Sequence, residues 1–274
     1  MADDGRLTVR GTPYAYLERG SGPLVLFGHG LLAGREMFRA QIDALAGNYR
    51  CVSIDWPGHG DSGHRAEGWT LYDLAEDTVE IVARLGGGPA CLVGLSQGSM
   101  IFTRLALARP ELVRALVVIG TSARPEDPAV AAEYHALAEI LSDGTDEERA
   151  NILPIVQQLL HSTAWLDSEP EAAERERERV LAFDRRGIRL AAEAAIDRDD
   201  VLDRLGEISA PTLVVVGDED FATTPEEARA VHGAIDGSEL VVIPGAGHHC
   251  AVDNPAAVSE ALTGFLAGAV TRSA

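Results

Sequence analysis

Cysteine is scarce in this chain of 274 residues, which contains only Cys51, Cys91 and Cys250. Three thiols cannot form the disulfide framework on which small secreted domains depend. Cys51 and Cys91 each lie in a segment rich in Val, Leu and Ile, where a small buried thiol is the expected state. The sequence therefore predicts free thiols and a cytoplasmic protein.

Basic residues are also few, because 23 Lys and Arg stand against 43 Asp and Glu, for a net charge of −20. So acidic a chain is unsuited to nucleic acid or to anionic membrane surfaces. No apolar run approaches the roughly 18 residues that a membrane span needs. Residues 1–4 lack the basic and apolar regions of a secretion signal. We therefore expect neither nucleic acid nor a membrane as a partner.

Short apolar runs alternate with amphipathic segments through most of the sequence, and 46% of the residues are hydrophobic. Leu71, Leu74 and Val82, for example, recur at helical spacing. Apolar strands that are each followed by an amphipathic helix indicate a parallel sheet with both faces covered. We predict a hairpin at 7–9 and 14–18, further strands at 24–27, 51–54, 90–93, 115–119, 212–216 and 239–243, and helices at 37–46, 70–85, 99–108, 225–235 and 255–267.

Residues 124–205 interrupt this alternation. The stretch has no convincing strand, and we expect Pro154 and Pro170 to separate its helices. It is too long for a simple crossover and is predicted to be a helical insertion between two strands. The charge-dense run 171–179 is predicted to be a solvated helix face. Two or three apolar residues within 152–166 are candidates for lining a substrate cavity.

The pentapeptide Gly94-Leu95-Ser96-Gln97-Gly98 joins a predicted strand to a predicted helix. A serine on such a sharp turn presents its hydroxyl beyond the strand end. Glycines two positions before and after it allow the strand and the helix to approach closely. The pattern alone is weak, but in this context Ser96 is the candidate nucleophile.

A serine nucleophile needs a general base and an acid that orients the base. His248 follows a glycine-rich turn at the carboxyl end of a predicted parallel strand, where ligands of such sheets bind, and it is the candidate base. Its neighbour His249 is expected to be packed or solvent-facing. His248, His249 and Cys250 could be mistaken for metal ligands, but three consecutive residues rarely converge on one ion, so we predict no metal site.

Three carboxylates, Asp218, Glu219 and Asp220, close the strand that precedes this one. Asp220 has room to fold back under the histidine, and we predict it as the acid, with Asp218 as the second choice. The strand at 115–119 offers no competitor, because residues 120–123 contain no carboxylate. The chain order is then serine, acid and histidine.

The oxyanion of acyl transfer needs backbone donors. The N–H of Gln97, at the start of a predicted helix, and the N–H of Leu31, after the third predicted strand, are the candidates. His29, His59 and Asp55 are predicted to be structural loop residues. The other histidines are expected to have surface or cap roles only: His64, His135, His161 and His232.

These motifs, in this order, resemble the α/β-hydrolase fold superfamily over roughly residues 7–268. The resemblance implies an α/β fold with an eight-stranded, mostly parallel sheet and helices on both faces. It also implies a core of residues 1–122 and 206–274 and a helical cap of residues 123–205. Within the superfamily the chain is most similar to bacterial 3-oxoadipate enol-lactonase-like hydrolases and small serine esterases. One departure is Ser99, where many relatives carry a second glycine. The matching pieces are His29-Gly30-Leu31, the loop 55–62, the turn around Ser96, and residues 217–220 and 245–248.

The same resemblance implies a serine hydrolase that cleaves a carboxylic ester or lactone through the predicted triad, without a metal or an organic cofactor. C–C bond hydrolases, cofactor-free perhydrolases and slow-turnover ligand receptors of this fold are the alternatives. A small-molecule substrate that bears a carboxylate would need a cation, for which Arg35, Arg124 and arginines of the cap such as Arg149 are the candidates. Monomer and homodimer both stay open.

The implied topology places the strands of Cys51 and Cys91 on either side of the strand at 24–27, about 9.6 Å apart. This exceeds the roughly 7 Å between Cα atoms that a disulfide tolerates. The resemblance therefore also implies free thiols.

Overall fold

A computed structural model of the protein describes residues 3–272, and the side chains of residues 4–269. The strands within this range are β1 (Asp3–Val9), β2 (Thr12–Arg19), β3 (Leu24–Gly28), β4 (Arg50–Ile54), β5 (Ala90–Leu95), β6 (Val113–Ile119), β7 (Thr212–Gly217) and β8 (Glu239–Ile243). They form one sheet in the order β1-β2-β4-β3-β5-β6-β7-β8. β2 pairs antiparallel with β1 and β4, and every other pair is parallel. The predicted α/β fold with its eight-stranded, mostly parallel sheet is confirmed.

Helices connect the strands, and several begin at a residue whose side chain caps the first turn. Thr70, for example, accepts a hydrogen bond from the amide of Asp73, whose carboxylate accepts one from the Thr70 amide in return. The α-helices of the described range are α1 (Arg39–Leu45), α2 (Leu71–Arg84), α3 (Gln97–Ala108), α4 (Pro128–Asp143), α5 (Asp146–Leu160), α6 (Thr163–Ser168), α7 (Pro170–Ala182), α8 (Arg185–Ile196), α9 (Pro225–Ala234), α10 (Cys250–Asp253) and α11 (Pro255–Arg272).

Alternate residues of the central strands face opposite sides of the sheet. Leu26 packs into one apolar cluster with α2, α3 and α9. Val25 and Phe27 pack into a second cluster with α1 and α11. Both faces are therefore covered, and the loops at the carboxyl ends of the strands are left as the place where a site can form. Among residues 3–272, no helix combines the length and the apolarity needed to cross a membrane.

The cysteines lie where the resemblance implies. Val25 of β3 pairs with Cys51 of β4 on one side and with Cys91 of β5 on the other. All three cysteines are buried and free. Burial raises the pKa of Cys51 to about 12 and that of Cys91 to about 11, so these thiols are poor nucleophiles.

Helices α4 to α8 lie between β6 and β7, and residues 120–211 contain no strand, as predicted. The prediction that Pro154 separates two helices is wrong, because Pro154 lies inside α5. Leu153 and Val156 beside it are buried, and this packing offsets the hydrogen bond that a proline cannot donate.

The division into a core of residues 1–122 and 206–274 and a cap of residues 123–205 stays a prediction. Residues 1, 2, 273 and 274 lie outside the described residues. The predicted absence of a secretion signal therefore rests partly on residues that the structure does not describe.

Candidate active site

Ser96 occupies the sharp turn between β5 and α3. Its backbone has φ 51° and ψ −116°, a conformation that costs a residue with a side chain about 1–3 kcal/mol. Close packing holds it there. A Cβ on Gly94 would overlap the amide nitrogen of Ser99, and a Cβ on Gly98 would overlap the carbonyl of Gly28. The predicted need for glycine on both sides of Ser96 is confirmed.

Ser99 fastens this turn to the neighbouring strand. The Ser96 amide donates to the carbonyl of Ile119, at 2.8 Å. The Ser99 hydroxyl accepts from the Ile119 amide at 2.9 Å and donates to the Gly94 carbonyl at 2.7 Å. The serine that departs from the family pattern therefore supplies hydrogen bonds that a glycine could not make.

Asp220 and His248 are in contact at the ends of β7 and β8. His248 Nδ1 lies 2.9 Å from Oδ2 of Asp220 and 3.1 Å from its Oδ1. Since a carboxylate accepts, the Nδ1–H donates, and Nε2 is left as the acceptor of the imidazole. Both residues are buried, whereas Asp218 is exposed and accepts from the Ala246 amide. Of the two candidate acids, the structure brings Asp220 to the histidine.

Gly120 and Thr223 shape the surroundings of this pair. A Cβ on Gly120 would lie 3.1 Å from both Asp220 Oδ2 and His248 Nδ1, so a larger residue would crowd the contact. Thr223 donates from its amide to Asp220 Oδ1 at 2.8 Å, and its hydroxyl lies 3.1 Å from Oδ2. The hydroxyl is also 3.2 Å from His248 Nδ1.

Thr223 is not among the site residues predicted from the sequence. An aspartate followed three residues later by threonine is a spacing at which the carboxylate accepts hydrogen bonds from its own turn. That spacing is the signal that could have identified it.

The two amides predicted to bind an oxyanion belong to segments that adjoin Ser96. Gln97 is the first residue of α3, and the first amides of a helix have no acceptor in a preceding turn. Leu31 follows Gly30, where a Cβ would lie 3.2 Å from the Cβ of Ser96. The loop after β3 is therefore packed directly against the serine.

Two buried histidines set the path of this loop. The Trp56 amide donates to His29 Nε2 at 3.0 Å, and the Leu32 amide donates to His59 Nε2 at 3.1 Å. Burial lowers the pKa of each ring to about 3, so both histidines are neutral acceptors. The prediction of structural loop roles for His29 and His59 agrees with these contacts, as it does for Asp55, which accepts from the Arg35 amide at 2.7 Å.

A cavity of about 140 Å³ brings Ser96 and His248 together, since both line it. Its other walls come from the loops after β3 and β7 and from the helices inserted between β6 and β7. Three apolar residues from the run 152–166 take part, in agreement with the prediction. The remaining lining residues are Leu31, Leu32, Met100, Glu126, Tyr134, Leu137, Ala138, Leu141, Val156, Leu159, Leu160, Ile188, Ala192, Ala195, Ile196, Arg198, Ala222 and Thr223.

The cation that lines this cavity is none of the three arginines named from the sequence, although it is an arginine of the predicted cap. Arg35 binds the carboxylates of Asp55 and Asp61. The Arg149 guanidinium donates to backbone carbonyls of the insertion, and Arg124 is exposed. Arg198 lines the cavity instead, paired with Glu126. The sequence offered no sign of this pair, because 72 positions separate its members.

A second cluster of titratable residues lies beside His248. His161 Nδ1 is 2.6 Å from Asp253, and its Nε2 is 2.9 Å from Glu176. The expectation of a surface or cap role for His161 is therefore wrong in part, because the ring is buried. The prediction that residues 171–179 form only a solvated face is also wrong at Glu176, whose carboxylate turns inward to this ring.

His249 is packed, which is one of the two states expected of it. Its ring is fully buried, and neither ring nitrogen has a hydrogen-bond partner among the described residues. His161, Glu176 and His249 place ligand atoms within 4.8 Å of one another. Both nitrogens of His161 already face carboxylates, however, so a protonated imidazole accounts for this geometry without a metal ion.

The strained serine, the buried Asp–His pair and the cavity meet at the carboxyl ends of the parallel strands, which is the arrangement of an α/β-type hydrolase. A family model described as alpha/beta hydrolase fold matches residues 23–255 of the chain. The protein belongs to this family, and the resemblance inferred from its motifs is confirmed.

The chain is similar to several hydrolases over nearly its whole length. The chain is 30% identical over 254 residues to the (E)-2-((N-methylformamido)methylene)succinate hydrolase of Acinetobacter baylyi, covering 92% of this chain and 93% of that protein. A thermophilic esterase from Thermogutta terrifontis superposes with a TM-score of 0.88 at 29% identity, covering 98% and 99% of the two chains. The enol-lactonase from Burkholderia xenovorans LB400 has a TM-score of 0.88 at 25% identity, covering 96% and 100%. The protein is therefore a hydrolase.

Proposed function

We propose that this hydrolase cleaves carboxylic esters, lactones included, through an acyl-enzyme formed on Ser96. The observation that carries the proposal is the contact of His248 Nδ1 with Asp220, at 2.9 Å, beside a cavity that Ser96 and His248 line together. The names of the two solved neighbours, an esterase and an enol-lactonase, support this substrate class.

In the first half of the reaction, His248 Nε2 takes the proton of Ser96 as its oxygen attacks the carbonyl carbon. The tetrahedral oxyanion accepts hydrogen bonds from the amides of Leu31 and Gln97. The histidine then gives its proton to the departing alkoxide, which leaves as an alcohol. In a lactone the alcohol stays attached to the acyl chain.

In the second half, water loses a proton to His248 Nε2 and attacks the acyl-enzyme. The intermediate collapses to release the carboxylic acid, and Ser96 recovers its proton from the imidazolium. Asp220 accepts from Nδ1–H throughout, which fixes the ring tautomer and stabilises the imidazolium. Thr223 is a positioning residue for this carboxylate, since its amide and hydroxyl both contact it.

We further propose that residues 123–205 act as a cap on the core formed by 1–122 and 206–274, because helices from this range supply much of the cavity wall. The three buried thiols favour a reducing compartment, and we propose the cytoplasm.

The proposal is tested by Ser96→Ala, with Ser21→Ala, an exposed serine in a turn, as the matched control. Hydrolysis of p-nitrophenyl butyrate should fall by at least about 10⁴-fold in the first variant, as it does when a nucleophile of this kind is removed elsewhere. The control should keep wild-type activity. A fluorophosphonate should label the wild-type protein and the control but not Ser96→Ala.

Retention of more than about a tenth of the activity by Ser96→Ala would contradict the assignment of the nucleophile. The reaction class would be contradicted if the wild-type protein hydrolysed none of a panel of esters and lactones and also did not react with the fluorophosphonate.

A further inference from the structure

Two side chains of opposite charge line the cavity next to Ser96, and they form an ion pair with each other. Arg198 follows α8 and Glu126 precedes α4, and their side chains are only 3% and 14% exposed. Arg198 Nη2 lies 2.7 Å from Glu126 Oε1. Among the described residues that line the cavity, no other Arg, Asp or Glu occurs.

The other two nitrogens of the Arg198 guanidinium are hydrogen-bonded as well. Its Nε donates to the Arg124 carbonyl at 2.8 Å, and its Nη1 donates to the Ala195 carbonyl at 3.0 Å. Each nitrogen of the guanidinium therefore already has an acceptor. A guanidinium has five N–H bonds, and these three acceptors engage three of them. A substrate carboxylate that approached Arg198 would meet the negative charge of Glu126, which already neutralises the guanidinium.

The rest of the cavity wall is apolar, and the cavity is small. Typical lining residues are Leu137, Leu141, Val156, Leu159 and Ile188. The cavity volume of about 140 Å³ compares with the roughly 150 Å³ of an apolar cavity in another protein that binds benzene. A group of about six carbon atoms therefore fits, and a charged one would lose hydration against a mostly apolar wall.

We infer that the substrate is an uncharged ester or lactone, and that Glu126 excludes carboxylate-bearing substrates by neutralising Arg198. This inference rests on the proposed function, because it concerns the substrate of the same site. It makes Glu126 a specificity-determining residue.

The test compares two esters that differ only at the end of the acyl chain. p-Nitrophenyl pentanoate ends in a methyl group, and mono-p-nitrophenyl glutarate has a carboxylate in its place. The wild-type protein should show a kcat/KM about a hundredfold higher for pentanoate, because an unpaired or like charge at a buried site is strongly unfavourable. Equal or higher kcat/KM for glutarate would overturn the inference.

Glu126→Gln removes the negative charge but keeps an oxygen that can accept from Arg198. This variant should lower the preference for pentanoate over glutarate by about tenfold or more. Glu133→Gln, at an exposed position of α4, is the matched control and should leave the preference unchanged. An unchanged preference in Glu126→Gln would overturn the role of Glu126.

Binding to Ser96→Ala separates this inference from the proposed reaction. Calorimetry with this variant should show tighter binding of p-nitrophenyl pentanoate than of mono-p-nitrophenyl glutarate. If the wild-type protein neither hydrolyses any ester or lactone nor reacts with the fluorophosphonate, the proposed function fails, and the same calorimetric comparison still decides the preference of the cavity. Tighter binding of glutarate would then refute the preference for uncharged ligands as well.

Discussion

The buried His161 should make the protein less stable as the pH becomes alkaline. Its two ring nitrogens face Asp253 at 2.6 Å and Glu176 at 2.9 Å, an arrangement that needs a doubly protonated ring. Burial by itself would lower the pKa of His161, but the hydrogen bonds and charges of the two carboxylates outweigh it and raise the pKa to about 9. Asp253 also accepts from the amide of Gly247, next to His248.

The size of this effect on stability follows from the pKa of His161, which is about 9 in the folded protein against an ordinary value of 6.5. One pKa unit corresponds to about 1.36 kcal/mol, so the charged ring stabilises the fold by about 3 kcal/mol. Because the pKa is raised on folding, this contribution is fully present below pH 6.5 and is lost as the pH rises through 9. His249 has a pKa lowered to about 4 by burial, so it stays neutral throughout that interval.

Urea unfolding at pH 6 and pH 10 measures the effect in the wild-type protein and in His161→Gln. The advantage of the wild-type protein over the variant in free energy of unfolding should be about 3 kcal/mol smaller at pH 10 than at pH 6. Groups that titrate in both proteins cancel in this comparison. His135→Gln, in an exposed pair with Asp197, is the matched control and should change stability by less than about 1 kcal/mol at either pH. An equal advantage at both pH values would refute the reasoning.

Three further substitutions test the site and its frame. Asp220→Asn should lower kcat for ester hydrolysis by about 10⁴-fold, because the amide favours the wrong tautomer of His248; wild-type kcat in this variant would exclude Asp220 as the orienting acid. Gly98→Ala should lower the midpoint of thermal unfolding by several degrees or prevent folding, because the added methyl group overlaps the carbonyl of Gly28. Thermal unfolding followed by circular dichroism measures the midpoint, and an unchanged value would contradict the close approach of Gly98 to Gly28. Ser99→Ala removes two hydrogen bonds of a buried hydroxyl and should cost about 1–3 kcal/mol in urea unfolding, whereas no loss would show that these hydrogen bonds contribute nothing net.

Local patterns in the sequence predicted most strands and helices and the residues of the candidate site, and the resemblance to a known family supplied the eight-stranded topology. Apolar runs and helical spacing placed the strands and helices, because these patterns depend on residues within a few positions of each other. The turn around Ser96 and the glycines beside it are likewise local. His248 and Asp220 were found because residues that end parallel strands meet at the same edge of the sheet.

Contacts between distant segments were decided by the tertiary structure alone. Glu176 and its neighbours look like a solvated helix face, and only the packing of α7 against the loop of His161 turns that carboxylate inward. The pair of Arg198 and Glu126 forms because the ends of α8 and α4 meet beside the cavity. A side chain's charge is encoded in the sequence, but its burial and its partner depend on how whole helices pack, and no local pattern specifies that arrangement.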